Sequence, residues 1–250
     1  MYNNKPLVIN SKFIVFLSML YTTVMLAADV VAFRFQNFFG LVESGATIIF
    51  PLTYVLGDVI CEVYGWKTAM RIVWLALLCE GLFAALITMI IHIPTYGIGN
   101  YQEQYINVLG DMWLFVIAGI ISNLFSGILN IYFMSKWKII AQGKLFWLRS
   151  IISTCISEFV LIIVTVLIAF LPFIKFEMTM KIFYEAYVLE IFYALLFVIP
   201  AKYLVNFLRN KEKIDAYDYG VTYNPFKIFV DGDECENRYS RCNAGGNLYN

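Results

Sequence analysis

Ser150 to Phe173 reads SIISTCISEFVLIIVTVLIAFLPF, 24 residues with a single ionisable side chain, Glu158. At about 1.5 Å per residue a helix of that length reaches about 36 Å, enough to cross the roughly 30 Å hydrocarbon core of a bilayer. This run decides the fold because five more like it occur along the chain, near Phe13–Phe33, Gly45–Tyr64, Ile72–Ile91, Met112–Met134 and Phe183–Leu208. Each is long enough to span as a helix rather than as a barrel strand. The expected fold is an all-α integral membrane protein, a helical bundle of six transmembrane helices.

Composition points the same way. The chain is 61% hydrophobic and 14% charged, where soluble domains carry about 25% charged residues, and its mean hydropathy is +0.73. Six spans leave little of the 250 residues for a soluble catalytic domain, an ATP-hydrolysing module or a large receptor domain. A net charge of +0 argues against a nucleic-acid partner, and the lipid bilayer is the expected surrounding. Lys5 and Lys12 before the first span and Leu26-Ala27-Ala28 at its end imitate a signal peptide. The apolar run is too long for that and is read as a helix.

Lysine and arginine set the expected orientation. With the N-terminus in the cytoplasm, the inner segments hold twelve basic residues, among them Lys67, Arg71, Lys138, Arg149 and Arg209. The outer segments hold Arg34, Lys175 and Lys181, and His92 to Asp111 contains no Lys or Arg. The positive-inside rule then puts both termini in the cytoplasm, as an even number of spans requires. The expected division is a short cytoplasmic N-terminus (1–11), a six-span transmembrane domain (12–209) and a polar, mobile cytoplasmic tail (210–250).

Signals for metal or catalytic chemistry are weak. Cys61, Cys79 and Cys155 sit inside apolar runs and read as small core residues, while Cys235 and Cys242 in the tail lack the further ligands of a metal site. His92 stands alone, without an HExxH or GxSxG pattern. No cofactor, metal or catalytic residue is expected.

The informative residues are polar ones placed where the bilayer should be. An ionisable group inside a span costs about 2.5–3.5 kcal/mol on insertion scales, so its presence points to function. Asp29, Asp58, Glu62, Glu80, Glu158 and Glu190 qualify, with Asn123, Ser126 and Asn130 as neutral partners. Asp58 and Glu62, four apart, share one helix face, and Pro51 upstream is expected to bend that helix. For Glu62 a salt-bridged helix end near Lys67 and Arg71 is an equal alternative. Glu158 and Glu190 lie well inside their spans with no basic residue nearby in sequence, so each is expected to be neutral, hydrogen-bonded or facing water.

From Ala28 to Trp74 the chain carries ADVVAFR (28–34), Gly45, FPLTYVLGDVICEVYGWK (50–67), Arg71 and Trp74. This pattern resembles the bacterial queuosine precursor transporter family, also called the vitamin uptake transporter family. Weaker agreement runs through Trp147-Leu148-Arg149, Ile168-Ala169-Phe170, Pro200 and Tyr203. The resemblance implies import of 7-cyano-7-deazaguanine or 7-aminomethyl-7-deazaguanine across the bacterial inner (plasma) membrane. A carboxylate such as Asp58 or Glu158 would accept the paired N–H donors of such a base, and Tyr54 or Tyr64 would stack on it. Expected substrate-binding residues are Arg34, Pro51, Tyr54, Asp58, Glu62, Tyr64, Asn130, Glu158, Tyr187 and Glu190.

Three departures mark this chain. The family's Ser-Gln-x-x-Asp in the fourth span becomes Ser126-Gly127-Ile128-Leu129-Asn130, its fifth-span Asp-Thr becomes Leu161-Ile162, and its sixth-span Lys becomes Glu190. The pocket is therefore expected to be more acidic and to favour a cation. An alternative is a substrate-binding membrane subunit of a multi-subunit vitamin importer, which would need separate ATPase subunits. Leu56-Gly57-Asp58 also shares part of the Gly-x-Gly-Asp of intramembrane aspartyl proteases, but Val55 replaces the first Gly and a second catalytic Asp is not evident. The sequence leaves the solute, proton coupling and assembly into a homo-oligomer open.

Overall fold

The computed structural model describes residues 11–32, 34–38, 41–93, 101–110, 112–170 and 176–226. Six helices are long and apolar enough to cross a membrane. They are α1 (Ile14–Val31), the α2–α3 pair (Ala46–Ile49 and Pro51–Tyr64), α4 (Trp66–Ile91), α6 (Met112–Ile140), α7 (Phe146–Thr165) and α8 (Phe176–Glu212). A short helix, α5 (Tyr101–Leu109), follows α4, and a π-helical turn (Val166–Phe170) extends α7. The helical bundle expected from the six apolar runs is what forms, with one addition: an antiparallel hairpin of β1 (Phe35–Phe38) and β2 (Leu41–Ser44) beyond α1.

Exposure follows the solvent logic of a bilayer. Val15, Phe16 and Met19 of α1, Leu75, Leu78, Leu82 and Leu86 of α4, and Phe192, Leu196, Ile199 and Tyr203 of α8 are exposed at helical spacing. Polar side chains such as Asp58, Glu80, Ser126, Ser157 and Glu158 are buried instead. The helix at the centre is α3, buried at every position from Thr53 to Tyr64 and packed against α1, α4, α6, α7 and α8. Proline opens α3, so its span is broken at Phe50; the Phe50 carbonyl accepts bonds from the Thr53 amide at 2.8 Å and its hydroxyl at 2.7 Å. Gly65 ends it at φ 84°, a left-handed conformation in which a side chain would be strained.

A closed ionic cluster ties the helix ends together. Arg149 of α7 donates two parallel bonds of 2.9 Å to the Glu62 carboxylate, and Arg209 of α8 donates a third of 2.6 Å. Arg209 also pairs with Asp215 at 2.9 Å. Lys138 of α6 reaches Asp215 at 2.7 Å and the carbonyls of Glu62 and Ala216 at 2.5 and 2.6 Å. The sequence placed Lys67 and Arg71 beside Glu62, but the turn at Gly65 carries both onto α4, and α7 and α8 supply the partners instead.

The segment after α8 is held in the same place. Composition marks it as mobile from Asn210, yet α8 runs to Glu212, and residues 215–218 are buried. Asp218 accepts the Trp66 amide at 2.9 Å and the Ser135 hydroxyl at 2.6 Å, which caps α4 from a distant part of the chain. A side chain at Gly65 would come within 2.8 Å of Asp218. Tyr223 packs edge-on against Trp66. Hydrogen bonds and ion pairs dock this stretch together with the packing of Ile214, Val221 and Tyr223 on the core, and residues 227–250 lie outside the described part. The Phe13 amide donates to Glu212 at 2.7 Å, so the start of α1 and the end of α8 share one face of the bundle.

Removing one partner of a buried, hydrogen-bonded ion cluster leaves uncompensated charge and costs about 3–5 kcal/mol. Glu62→Ala is expected to lower the thermal midpoint in detergent by several degrees, while Lys211→Ala, exposed on the same face, stays within about 0.5 kcal/mol. An unchanged melt for Glu62→Ala would show that the cluster does not hold the bundle.

Candidate functional site

Spacing builds a polar axis through the bundle. Asp58 sits one turn above Glu62 on α3, and both face α7. The Asp58 carboxylate accepts the Asn130 amide of α6 at 2.6 Å, the Ser150 hydroxyl, and the Thr154 hydroxyl at 3.5 Å. Fully buried and committed to neighbours, it cannot receive a solute in this conformation.

Above Asp58 the axis loses its compensation. Glu158 of α7 and Glu190 of α8 face each other closely enough to interact. Both Glu158 oxygens and one Glu190 oxygen are buried without a hydrogen-bond partner among the described residues. Tyr54 of α3 lies beside this pair and next to Ser126, with its ring edge-on to Phe50 at 5.6 Å.

The axis ends in a cavity of about 140 Å³ at the end of the bundle opposite the Glu62 cluster. That volume is on the order of cavities that take a small aromatic ring. Its walls are the end of α1 (Ala28, Asp29, Ala32), the hairpin and α2 (Glu43, Ser44, Thr47), Phe50, Gly119, Ser122 and Asn123 of α6, Leu161 to Val166, and Ala186 and Glu190 of α8. Among the described residues three carboxyl side chains and no Lys or Arg line it. Leu161 and Glu190, both departures from the family pattern, meet here.

The hairpin explains Glu43, which sequence reading left in a loop. Ser44 bonds the Ala32 carbonyl at 2.6 Å and caps the Ala46 amide at 3.2 Å, which folds the strand back over the cavity. Glu43 is thereby buried with its second oxygen 3.4 Å from the Thr47 hydroxyl. Burial pushes its carboxyl up to about 7, the Thr47 bond opposes the shift, and Glu185 adds to it.

Of the ten expected binding residues, only Glu190 lines the cavity. Tyr54 and Glu158 stand directly behind the wall, and Asp58 with Asn130 lies further along the axis. Pro51 is buried in the helix break, and its neighbour Phe50 supplies the aromatic face instead. Glu62 and Tyr64 belong to the opposite end, where the Tyr64 hydroxyl donates to Glu212. Tyr187 is half-buried, donates to the Cys155 carbonyl at 3.3 Å and stacks on Phe183, and Arg34 is exposed. The sequence singled out Glu158 and Leu161 but not the rest of the inner stripe of α7, Ser150, Ser153, Thr154 and Ser157. Its spacing of three and four was a visible signal.

A profile described as "Putative vitamin uptake transporter" matches residues 44–205, from the end of the hairpin to late α8 and nearly two thirds of the chain. No curated protein and no solved structure matches the chain. A six-span bundle with a central polar helix and an acidic cavity agrees with that match, and the chain belongs to the vitamin uptake transporter family.

Proposed function

We propose that this protein imports a purine-like base, a queuosine precursor, across the bacterial inner membrane, with the face bearing the Glu62 cluster toward the cytoplasm. The observation that carries the reading is the pairing of a cavity at one end of a continuous polar axis with an ionic seal at the other. This is the layout of a site exposed to one side at a time. The basic residues gathered at the sealed face supply the orientation. In this reading the base rests on Phe50, Glu190 accepts its ring N–H and amino donors, and Leu161 packs against its edge.

An acidic, cation-free wall favours the aminomethyl base, which carries an ammonium group, over the neutral cyano base. A carboxylate about 5 Å from that ammonium contributes about 3 kcal/mol at an effective dielectric of about 20, before desolvation is subtracted. The reading as a subunit of a larger importer predicts binding without transport by the single chain. Uptake by liposomes containing this chain alone separates the two.

The first test is recovery of queuosine in tRNA, read on boronate gels, in bacteria lacking both precursor synthesis and their own transporter. Expression of this chain is expected to restore the modification, and Asp58→Asn, Glu158→Gln or Glu190→Gln to reduce it with the protein still in the membrane. No recovery with either base, despite normal insertion, assigns the scaffold to another solute.

Competition measures the charge preference. The aminomethyl base is expected to compete about tenfold better than the cyano base, a difference of about 1.4 kcal/mol, and Glu190→Gln to erase most of that margin. Because Glu43 titrates near 7, it is neutral below that pH and attracts the cation only above it. The margin should therefore shrink as pH falls through about 7, and Glu43→Gln should flatten this dependence. Equal competition by the cyano base, unaltered in Glu190→Gln, rules out the acidic-wall account.

A further inference from the structure

A second carboxyl pair lies to the side of the polar axis. Asp29, near the end of α1, and Glu80, at the middle of α4, interact with each other. Glu80 is fully buried with the Asn123 amide as its polar neighbour, and among the described residues neither of its oxygens has a hydrogen-bond partner of good geometry; one Asp29 oxygen is buried and unpartnered among them as well. Gly119 of α6 makes the approach possible: a Cβ there would stand 2.9 Å from Glu80 Oε1 and 4.0 Å from both Asp29 Oδ1 and Asn123 Nδ2.

The surroundings restrict what the pair can bind. The groups facing it are Tyr21 from α1 and Asn123 from α6, and Tyr54 of α3 faces Tyr21. No cation faces it among the described residues. Two carboxyls and one amide fall well short of the six to eight oxygens that a hard metal ion such as calcium requires, and no metal-holding cluster occurs among the described residues. Two like charges facing each other in a low-dielectric interior are compatible only when a proton is shared between them. Asp29 lines the cavity and Glu80 does not, so a proton entering from the cavity meets Asp29 first, and a solute in the cavity cannot touch Glu80.

We propose that Asp29 and Glu80 form a proton-binding site that couples solute movement to the proton gradient. Asp29 takes a proton from cavity water and passes it to Glu80, one O–H bond breaking as the other forms. With the proton in place the pair carries one negative charge spread over a shared hydrogen bond, and α1 and α4 stay packed on α6. Its loss leaves mutual repulsion that only entering water relieves. Glu158 and Glu190 are assigned to the solute and this pair to the driving ion. The assignment rests on the uptake reading above.

The test uses the full chain in liposomes with radiolabelled 7-aminomethyl-7-deazaguanine, assayed both as counterflow at equal pH and as accumulation against an inwardly directed proton gradient. With one proton per solute, a gradient of about one pH unit sustains about tenfold accumulation. Wild type is expected to show both activities. Glu80→Gln, outside the cavity wall, is expected to keep counterflow within about twofold, less than 0.5 kcal/mol, and to lose accumulation; Asp29→Asn is expected to lose accumulation as well. Wild-type accumulation indifferent to the gradient, normal accumulation in Glu80→Gln, or equal loss of both activities overturns the proposal.

Infrared titration without solute reads the pair independently. A protonated-carboxyl band that disappears as pH rises in wild type is expected to be missing in Glu80→Gln. If wild type shows no counterflow of the probe, the purine reading fails. The infrared arm then decides alone, and a band unaltered by both variants overturns the proton site.

Discussion

The bidentate bond between Arg149 and Glu62 is the constraint on which the rest depends. Glu62 belongs to the central helix, Arg149 opens α7, Arg209 closes α8, and Lys138 ends α6 while gripping the carbonyl of Glu62 itself. Four helices therefore meet at one residue. Apolar burial cannot fix this arrangement, because lipid tails are as apolar as the leucines they would replace. The polar contacts select which helices touch and at what rotation, and the apolar stripes of α1, α4 and α8 are left to face lipid.

Fixing α3 at one end determines the other. Since Asp58 follows Glu62 by one turn toward the interior, the rotation that presents Glu62 to Arg149 also presents Asp58 to Ser150, Thr154 and Asn130. The same rotation of α7 turns Ser157, Glu158 and Leu161 inward, and α8, held by Arg209, turns Glu190 to meet them. The cavity is thus a consequence of the seal, although they lie at opposite ends of the bundle.

How much of this the sequence disclosed depends on the range of each interaction. The six spans were legible because twenty consecutive apolar residues admit one solution in a bilayer. The buried carboxylates were legible because their cost marks them individually. Partners were not: Glu62 lies 87 residues from Arg149 and 147 from Arg209, and nearness in sequence pointed to Lys67 and Arg71 instead. The docking of Asp215 and Asp218 escaped notice for a related reason, since composition measures apolar burial and these residues are held by charge. Glu43 became a cavity residue only through the hairpin that carries it, and its four-residue strands leave no clear alternation to read.

The two ends of the axis treat the same chemistry in opposite ways, and that contrast gives the bundle a direction. At one end both Glu62 oxygens meet arginines, so the protein itself replaces the water those ions gave up. At the cavity end Glu190, Glu158, Asp29 and Glu80 retain unpartnered oxygens, each an unmet demand for a donor. A buried ion pair is hard to open because separating it exposes two charges to hydrocarbon, whereas an unpartnered carboxyl gains from any donor that arrives. A cationic or N–H-rich solute and a proton both satisfy the open end. Neither offers anything to the closed one until water reaches Arg149 and Arg209 from their own face. In the proposed uptake the direction of entry follows from which carboxylates the fold has paired, and Glu190 places one more unmet carboxylate at the open end.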